Sequence, residues 1–515
     1  MPRYAMVIDV EKCVGCMACV IACKKENKVA DGYFRTRVVE EVRGEFPNLR
    51  MELRSELCNH CEIAPCIDAC PTRASHRAKD GTVQIDHKKC IGCKACILAC
   101  PYDARYIRPD GTADKCTFCQ HRLKEGKTPA CVETCLGKSR IFGDLDDPES
   151  EVSKLLRTYD AAVRLEWAGT KPRVFYVNKR FPGGVLTMVE ITITGTNSIT
   201  FPHFEVWDWR IVLYLFLGGL AAGTLVMCSI ANLRPTKTVE ELAKCVRAPL
   251  IAFVMLAVGA LFIILEIKAP WHLYWGYLTF QPLSLMSWGT WGVPLVLFFN
   301  ALYILAVLPE EQKHYLKFEF LKRFSDRLKP RMRLIAKINF VAGIFLAIYT
   351  GILLASFLAV PLWNNATLPI LFLVSALSAG AALIVIIAKD VEIKYLFTKI
   401  DVWLIVIELL LIPLYFYGLY VSSAPYKRAL EPFFSFKGEY FIYTLALILI
   451  FLFLPLALRM KIGEITEFEE HGLPYQFTRA QILRMNIAAI LVITGTLILR
   501  GAIVYAGQLI KLSIY

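Results

Sequence analysis

The sequence predicts a two-part chain. An α+β, cysteine-rich domain covers residues 1–180, a linker covers 181–205, and an all-α membrane domain of eight transmembrane helices covers 206–515. Three observations predict it. Sixteen of the eighteen cysteines lie before residue 180. From about residue 205 onward come apolar runs, each near the roughly 20 residues that a hydrocarbon core needs. The chain as a whole is 56% apolar, too oily for an ordinary soluble protein.

The first domain is built on repeated cysteine runs. Residues 7–24 read VIDVEKCVGCMACVIACK and residues 84–101 read QIDHKKCIGCKACILACP, an internal repeat. Variants at CNHCEIAPCIDACP and CTFCQHRLKEGKTPACVETC complete four groups of four: Cys13, Cys16, Cys19, Cys23; Cys58, Cys61, Cys66, Cys70; Cys90, Cys93, Cys96, Cys100; and Cys116, Cys119, Cys131, Cys135. Disulfides do not demand such spacing, and structural zinc prefers paired C-x2-C knuckles. In the bacterial ferredoxin run, three thiolates on one tight loop grip one cubane. The fourth cysteine, often followed by proline as at Pro71 and Pro101, reaches a second cubane. Four copies therefore predict iron–sulfur clusters in a ferredoxin-like domain of tandem repeats, with zinc a remote alternative.

On these motifs, residues 1–180 resemble the four-cluster ferredoxin subunits of molybdopterin oxidoreductases such as polysulfide, dimethyl sulfoxide and tetrathionate reductases. The resemblance implies a pairing of the first group with the fourth and of the second with the third. The ligand sets would be Cys13, Cys16, Cys19 with Cys135; Cys116, Cys119, Cys131 with Cys23; Cys58, Cys61, Cys66 with Cys100; and Cys90, Cys93, Cys96 with Cys70. Every ligand position is Cys, which implies four [4Fe–4S] clusters and no three-iron centre. The two remaining cysteines, Cys228 and Cys245, read as small packing residues in or beside apolar runs.

The membrane half divides into spans near 209–233, 248–267, 289–308, 335–357, 367–388, 400–421, 438–458 and 481–507. The odd-numbered connections carry eighteen Lys and Arg residues against four in the even ones. The positive-inside rule makes the odd connections cytoplasmic and puts the amino end of the first span outside. The ferredoxin domain is then expected on the outer, extracytoplasmic side of a multi-pass cell-membrane protein. The opening MPRYAMVIDV lacks the features of a signal peptide, so export would need a partner that carries one, as in the relatives. The net charge of +13 follows from this loop bias and points to the lipid bilayer, with no nucleic-acid partner.

None of the eight histidines (His60, His76, His87, His121, His203, His272, His314, His471) falls in a span, which argues against a bis-histidine haem b. No haem is expected, and quinone, of menaquinone or ubiquinone type, remains as the lipid-phase carrier. The stretches WDWRIVLYLFLGGLAAG (207–223), SWGTW (287–291), YTGILL (349–354), VPLWN (360–364) and LILRGAIVYAGQ (497–508) resemble the NrfD-like membrane subunit of polysulfide reductase. Such subunits have eight spans, bind quinone and lack haem. In that family a quinone-binding histidine stands at the position of Tyr214, so Tyr214 is the first quinone candidate, with Tyr349 a further donor. Glu266 closes the second span and His272 follows it. They complete the quinone candidates, and a wetted helix end is the plain reading of Glu266. Glu266, Glu408 and Arg500 are candidates for a proton path. The plain reading of Glu408 and Arg500 is a charge-neutralising pair between helices. Seven tryptophans on the predicted outer side (207, 209, 271, 275, 288, 291 and 363) against Trp403 alone on the other suggest a structured outer surface more than an aromatic belt.

The expectation is an electron-transfer and membrane-anchor subunit of a quinone-linked respiratory oxidoreductase. It would work between the membrane quinone pool and a molybdopterin catalytic subunit, by family analogy a sulfur-compound reductase. No substrate-converting site is read in this chain. The alternatives are a module like that of alternative complex III, passing electrons from quinol to cytochromes, an ion-pumping redox module, and a passive anchor.

Overall fold

The computed structural model describes residues 2–43, 47–48, 50–178, 189–194, 206–233, 247–308, 318–388, 391–422, 426–427, 429–430, 433, 448–463 and 478–509. Most of the first, third and seventh connections, with Cys245, His203, His314 and His471, lies outside these residues. The chain forms two compact units. The first comprises Met1–Val206 with Ile267–Ser287, and the second Trp207–Glu266 with Trp288–Ile510.

In the first unit, strands β1 (Tyr4–Asp9), β2 (Thr36–Arg43), β3 (Arg50–Leu57), β4 (Ser75–Arg77), β5 (Val83–Ile85), β6 (Tyr106–Ile107), β7 (Ala113–Asp114), β8 (Arg140–Asp144), β9 (Val174–Val177) and β10 (Val189–Thr194) form four small sheets. β1 is central in the order β8-β1-β9, antiparallel to β8 and parallel to β9. Its inward residues Ala5 and Val7 pack with Ile141, Val152 and Val177 into a core. β2 is central in β10-β2-β3, and β4-β5 and β6-β7 are hairpins. β10 corrects the expected linker: residues 189–194, VEITIT, are rich in β-branched side chains and pair with β2 in the register Val189↔Arg43 to Thr194↔Val38. The rest of 181–205, apart from this strand, lies outside the described residues.

Short helices follow the cysteine loops: α1 (Ala18–Glu26), α2 (Pro65–Asp68), α3 (Ala95–Leu98), α4 (Gln120–Lys124) and α5 (Ala130–Glu133). α6 (Glu151–Thr158) covers β8. The internal repeat folds alike in its two copies. Gly15 and Gly92 have φ of 69° and 68°, and Met17 and Lys94, just before α1 and α3, are also left-handed at 61° and 63°. A side chain at Gly92 would strike the Gly111 carbonyl, so the C-x-G-C turn tolerates only glycine there.

β3 carries a buried charge cluster. Glu56 accepts from Arg164 Nη1 at 2.7 Å, Arg37 Nη2 at 2.9 Å and Arg54 Nε at 3.1 Å. Burial alone would push the Glu56 carboxyl up, but these three guanidinium groups outweigh it and hold it at about 2, against an ordinary 4.5. A depressed carboxyl stabilises the fold fully above its unfolded value. This contribution therefore holds above pH 4.5 and is lost as pH falls towards about 2. Glu56→Gln leaves three buried cations short of a partner and is expected to cost about 3–5 kcal/mol at neutral pH. The temperature at which cluster absorbance bleaches should drop accordingly, and an unchanged bleaching temperature would refute the assignment.

The second unit is helical: α7 (Trp209–Leu233), α8 (Arg247–Glu266), α10 (Leu285–Val307), α11 (Glu319–Leu328), α12 (Met332–Ala355), α13 (Thr367–Ile387), α14 (Val391–Val421), α15 (Leu454–Gly463) and α16 (Arg479–Leu509). The short α9 (Tyr274–Leu278) belongs to the first unit. Among the described residues, seven helices are long and apolar enough to cross a membrane, counting Glu319–Ala355 as one. These seven coincide with seven of the eight expected spans. Residues 438–447 of the expected seventh span lie outside the described residues. The remainder is a π-helix at Leu449–Phe453 running into α15.

α7 is the axis of this unit, packed against α8, α12, α13 and α16. Its GGLAAG run lets backbones meet with nothing wedged between them: a Cβ on Gly223 would collide with the carbonyl of Ala376 on α13. Small residues at a helix crossing are how apolar helices gain contact when lipid is as apolar as they are. Two basic residues assigned to loops prove to be internal. Lys394 lies inside α14 and Arg459 inside α15, 7% and 2% exposed. They drop out of the loop count, yet the bias towards the odd connections persists.

Candidate cluster loops and quinone site

The described residues bring the cysteines together in four sets. Cys58, Cys61, Cys66 and Cys100 surround one cavity, Cys70, Cys90, Cys93 and Cys96 a second, and Cys23, Cys116, Cys119 and Cys131 a third. Cys135 lies within electrostatic reach of both Cys13 and Cys19, and Cys16 of Cys19. Among the described residues, no three Cys, His, Asp or Glu side chains converge tightly enough for a single metal ion. Four thiols spread around a shared void fit a multi-iron cluster and not zinc. Burial pushes the Cys96 and Cys116 thiols up to about 12 and Cys100 to about 11. Such thiols lose their protons only to a strong local positive charge, as bound metal provides. Clusters held there supply one-electron transfer.

The sets stand in a row. Cys19 neighbours Cys131, Cys116 neighbours Cys58, and Cys96 neighbours Cys66. The order is therefore the Cys13 set, the Cys116 set, the Cys58 set and the Cys90 set. His60 stacks on Phe118 at 3.7 Å between the two middle sets, with its Nδ1 accepting from the Val83 amide at 3.1 Å. Backbone amides of Ser75, Ala113, Phe118 and Ser139 donate to the sulfurs of Cys70, Cys90, Cys116 and Cys135 at 3.2–3.4 Å.

Two arginines that the cysteine spacing does not reveal hold the row together electrostatically. Arg105 is buried, donates to Cys66 Sγ at 2.9 Å, and lies near Cys58, Cys96 and Cys100. Arg140 sits likewise near Cys131, Cys19 and Cys116. Each offsets negative charge shared by two adjacent sets. A signal was present: each arginine stands five residues after a fourth cysteine, in CPYDAR and CLGKSR. Removing a positive charge favours the oxidised, less negative state of a neighbouring redox group. Arg105→Gln is thus expected to lower two midpoint potentials by roughly 60 mV or more, a tenfold change in a one-electron equilibrium. Potentiometric titration followed by electron paramagnetic resonance reads this directly, and unchanged potentials would remove the assigned role.

Residues 267–287 fold with the first unit and cover the Cys90 set. The Ala269 amide donates to the Ile91 carbonyl at 3.0 Å, and Arg73 donates to Gln281 Oε1 at 2.7 Å and the Phe280 carbonyl at 3.0 Å. His272 is part of this contact. Its Nδ1–H donates to the Cys90 carbonyl at 2.9 Å, so the structure sets it beside a cluster loop.

In the helical unit, Tyr214 and Tyr349 come together. Both are buried and close enough to feel one another's charge. The Tyr214 ring packs by Gly218 and Gly259, and the Tyr349 hydroxyl lies against Gly289 of the SWGTW stretch. Glu266 is no wetted helix end. It is 3% exposed and 3.4 Å from Arg210 Nη1. Glu408 and Arg500 do not pair directly. Arg500 Nη1 donates to Ser375 Oγ at 3.1 Å, and the Ser375 hydroxyl donates to the Glu408 carboxylate. The tryptophans divide. Trp207 and Trp363 are buried and stacked 5.9 Å apart, whereas Trp209, Trp271, Trp288, Trp291 and Trp403 are exposed. Cys228 is a buried packing residue, as expected.

Comparison with known proteins accords with both halves. The family model "Polysulphide reductase, NrfD" matches residues 196–511, and two models described as 4Fe-4S dicluster domains match residues 12–74 and 49–145. A tetrathionate reductase subunit of Salmonella typhimurium is 45% identical over 183 residues, which cover 34% of this chain and 72% of the relative. A polysulfide reductase subunit of Wolinella succinogenes is 42% identical over 188 residues, 36% of this chain and 97% of the relative. The arsenate respiratory reductase iron–sulfur subunit of Shewanella is 37% identical over 224 residues, 34% of this chain and 96% of the relative. The protein belongs to the NrfD polysulphide reductase family, with an iron–sulfur domain fused ahead of its NrfD-like membrane domain.

Proposed function

We propose that this chain is the electron-transfer and membrane-anchor subunit of a quinone-linked respiratory oxidoreductase. It holds four [4Fe–4S] clusters, spans the bilayer eight times, and exchanges electrons between quinone and a molybdopterin catalytic partner on the outer side. The observation that carries the reading is the row of four cysteine sets, whose Cys90 end is covered by residues 267–287. Those residues continue in sequence into a membrane helix at each end, so this end of the row is the one that serves the membrane carrier. The paired Tyr214 and Tyr349 hydroxyls are the donors for a quinone head group, with Glu266 and Arg210 as the charged pair nearest in sequence to the loop. His272 positions the Cys90 loop. The partner reading is supported by relatives named as subunits of tetrathionate, polysulfide and arsenate reductases. The outer location is supported by the charge bias of the connections.

One experiment tests these points together. In sealed right-side-out vesicles, a short-chain quinol should bleach the cluster absorbance, and ferricyanide, which does not cross the bilayer, should restore it. Bleaching by dithionite but not by quinol would sink the quinone link. Restoration only after lysis would put the iron–sulfur domain inside.

A further inference from the structure

Along α14, Lys394, Asp401, Glu408 and Tyr415 stand seven residues apart, and all four are buried. Seven residues are close to two turns, so they share one face of the helix. From the first to the last the helix rises about 30 Å, the thickness of a hydrocarbon core. Neighbouring helices supply polar partners along this face. Lys394 Nζ donates to the Val385 carbonyl of α13 at 2.6 Å and lies 3.3 Å from Asn486 Oδ1 of α16. Asp401 accepts from Ser378 of α13 at 2.6 Å and pairs with Arg459 of α15, both charged side chains fully buried. Glu408 meets Ser375, and Ser375 meets Arg500. Arg500 in turn reaches α7, where a Cβ on Gly219 would strike its guanidinium. Its neighbour Gly218 faces the Tyr214 ring. The stripe thus runs from the 391–399 end of α14 to the helix that carries Tyr214.

A seam that only tied helices together would satisfy its members, because an unpaired polar atom in apolar surroundings is costly. Here, among the described residues, Glu408 Oε1, Arg459 Nη2 and Arg500 Nε are buried without hydrogen-bond partners. Glu408 also lines a small cavity with Ser375, Thr496, Phe451 and Leu452, with room on the scale of a single water. Phe451 and Leu452 come from the π-helix at Leu449–Phe453, a widened turn of the kind found at functional sites.

We propose that this stripe is a proton path and that Glu408 is the group in it that gains and loses the proton. An O–H bond forms at Glu408 Oε1 as an O–H bond of a delivering hydronium breaks, leaving water. Release reverses this to the next water, and no electron moves in the stripe. The charged groups that bear on Glu408 are Asp401 on its own helix and Arg500 from α16, with Arg459 of α15 acting through Asp401. Ser375 and Thr496 are its polar neighbours. For its source of protons the proposal rests on the quinone reading: each quinol oxidised yields two electrons and two protons, and quinone reduction consumes the same.

The test uses the full cluster-loaded chain. In an infrared pH titration, wild type should show a carboxyl C=O band that Glu408→Gln abolishes, Glu408→Asp shifts, and the exposed-surface control Glu319→Gln leaves alone. In sealed liposomes turning over quinol with external ferricyanide as the electron acceptor, protons moved per electron should fall at least fivefold in Glu408→Gln, and Glu408→Asp should retain most of them. Iron content equal to wild type guards against misfolding. If Glu408→Gln does not assemble, Asp401→Asn must move the same band. A band that Glu408→Gln leaves in place, or one that Asp401→Asn leaves unmoved, overturns the proposal. Wild-type liposomes that fail to oxidise quinol would overturn the quinone reading alone, because the infrared arm needs no quinone.

Discussion

Replacing Cys70 with alanine is expected to strike the cluster whose other three ligands lie twenty or more residues later, at Cys90, Cys93 and Cys96. These four sulfurs line one cavity, and the Ser75 amide donates to the Cys70 sulfur at 3.4 Å. Cys100, which follows Cys96 directly in the motif, lines the other cavity with Cys58, Cys61 and Cys66. Cys70→Ala and Cys100→Ala should therefore damage different clusters, each the one remote in sequence. In both variants the iron content should fall, from about sixteen towards about twelve if a whole cubane is lost and by less if a three-iron form persists. The electron paramagnetic resonance of the reduced protein should lose one component, and the lost components should differ between the variants. The functional consequence differs too. The Cys90 set is at one end of the row, so Cys70→Ala should abolish cluster reduction by quinol while dithionite still reduces the remaining clusters. If Cys70→Ala and Cys58→Ala removed the same signal, the crossed pairing would be wrong.

The sequence exposed the cluster loops so fully because three of the four ligands lie within nine residues in three of the sets and within sixteen in the Cys116 set. The fourth ligand comes from 20 to 122 residues away, and only family resemblance supplied it. Arg105 and Arg140 were written in the repeat, five residues after Cys100 and Cys135, but arginine has no fixed place in a ligand motif. Residues 267–287 read as an ordinary connection between spans. Their hydrogen bonds to Ile91, Cys90 and Arg73 join positions 178 to 208 residues apart, which local pattern does not reveal. In the membrane half, Glu408 and Arg500 stood out because charge in an apolar run is conspicuous. Lys394 did not, because the apolar run begins later than the helix does. A helix that starts at Val391 moves Lys394 from a loop to a buried face and completes the heptad spacing with Asp401 and Glu408. The strand at 189–194 escapes local pattern for a related reason: six residues, followed directly by a glycine, carry too little signal to displace a linker.

Tyr214→Phe is expected to slow quinol-dependent cluster reduction several-fold or more while the clusters keep their spectra. The argument begins with packing. Tyr214 is 4% exposed on α7, held between Gly218 and Gly259, and it shares its surroundings with Tyr349. Phenylalanine fills the same space, so the helices need not move and the effect isolates one hydroxyl. A lost hydrogen bond costs about 0.5–1.5 kcal/mol, and about 1–3 kcal/mol when the partner is left buried and unpaired. At about 1.4 kcal/mol per tenfold, the second case corresponds to a loss of roughly fivefold to somewhat over a hundredfold. Tyr349→Phe tests the other donor, and the pair should be less than additive if both hydroxyls serve one head group. Gly289→Ala offers an independent probe, since its new methyl would collide with the Tyr349 hydroxyl and displace it without altering either tyrosine. Two assays on each variant separate the causes: reduction of the clusters by quinol, and reduction by a soluble dye. Loss of the first with retention of the second assigns the tyrosines to quinone. If Tyr214→Phe, Tyr349→Phe and Gly289→Ala all leave both rates unchanged, the quinone site is elsewhere in the helical unit, and the two hydroxyls serve only to pack α7 against α12.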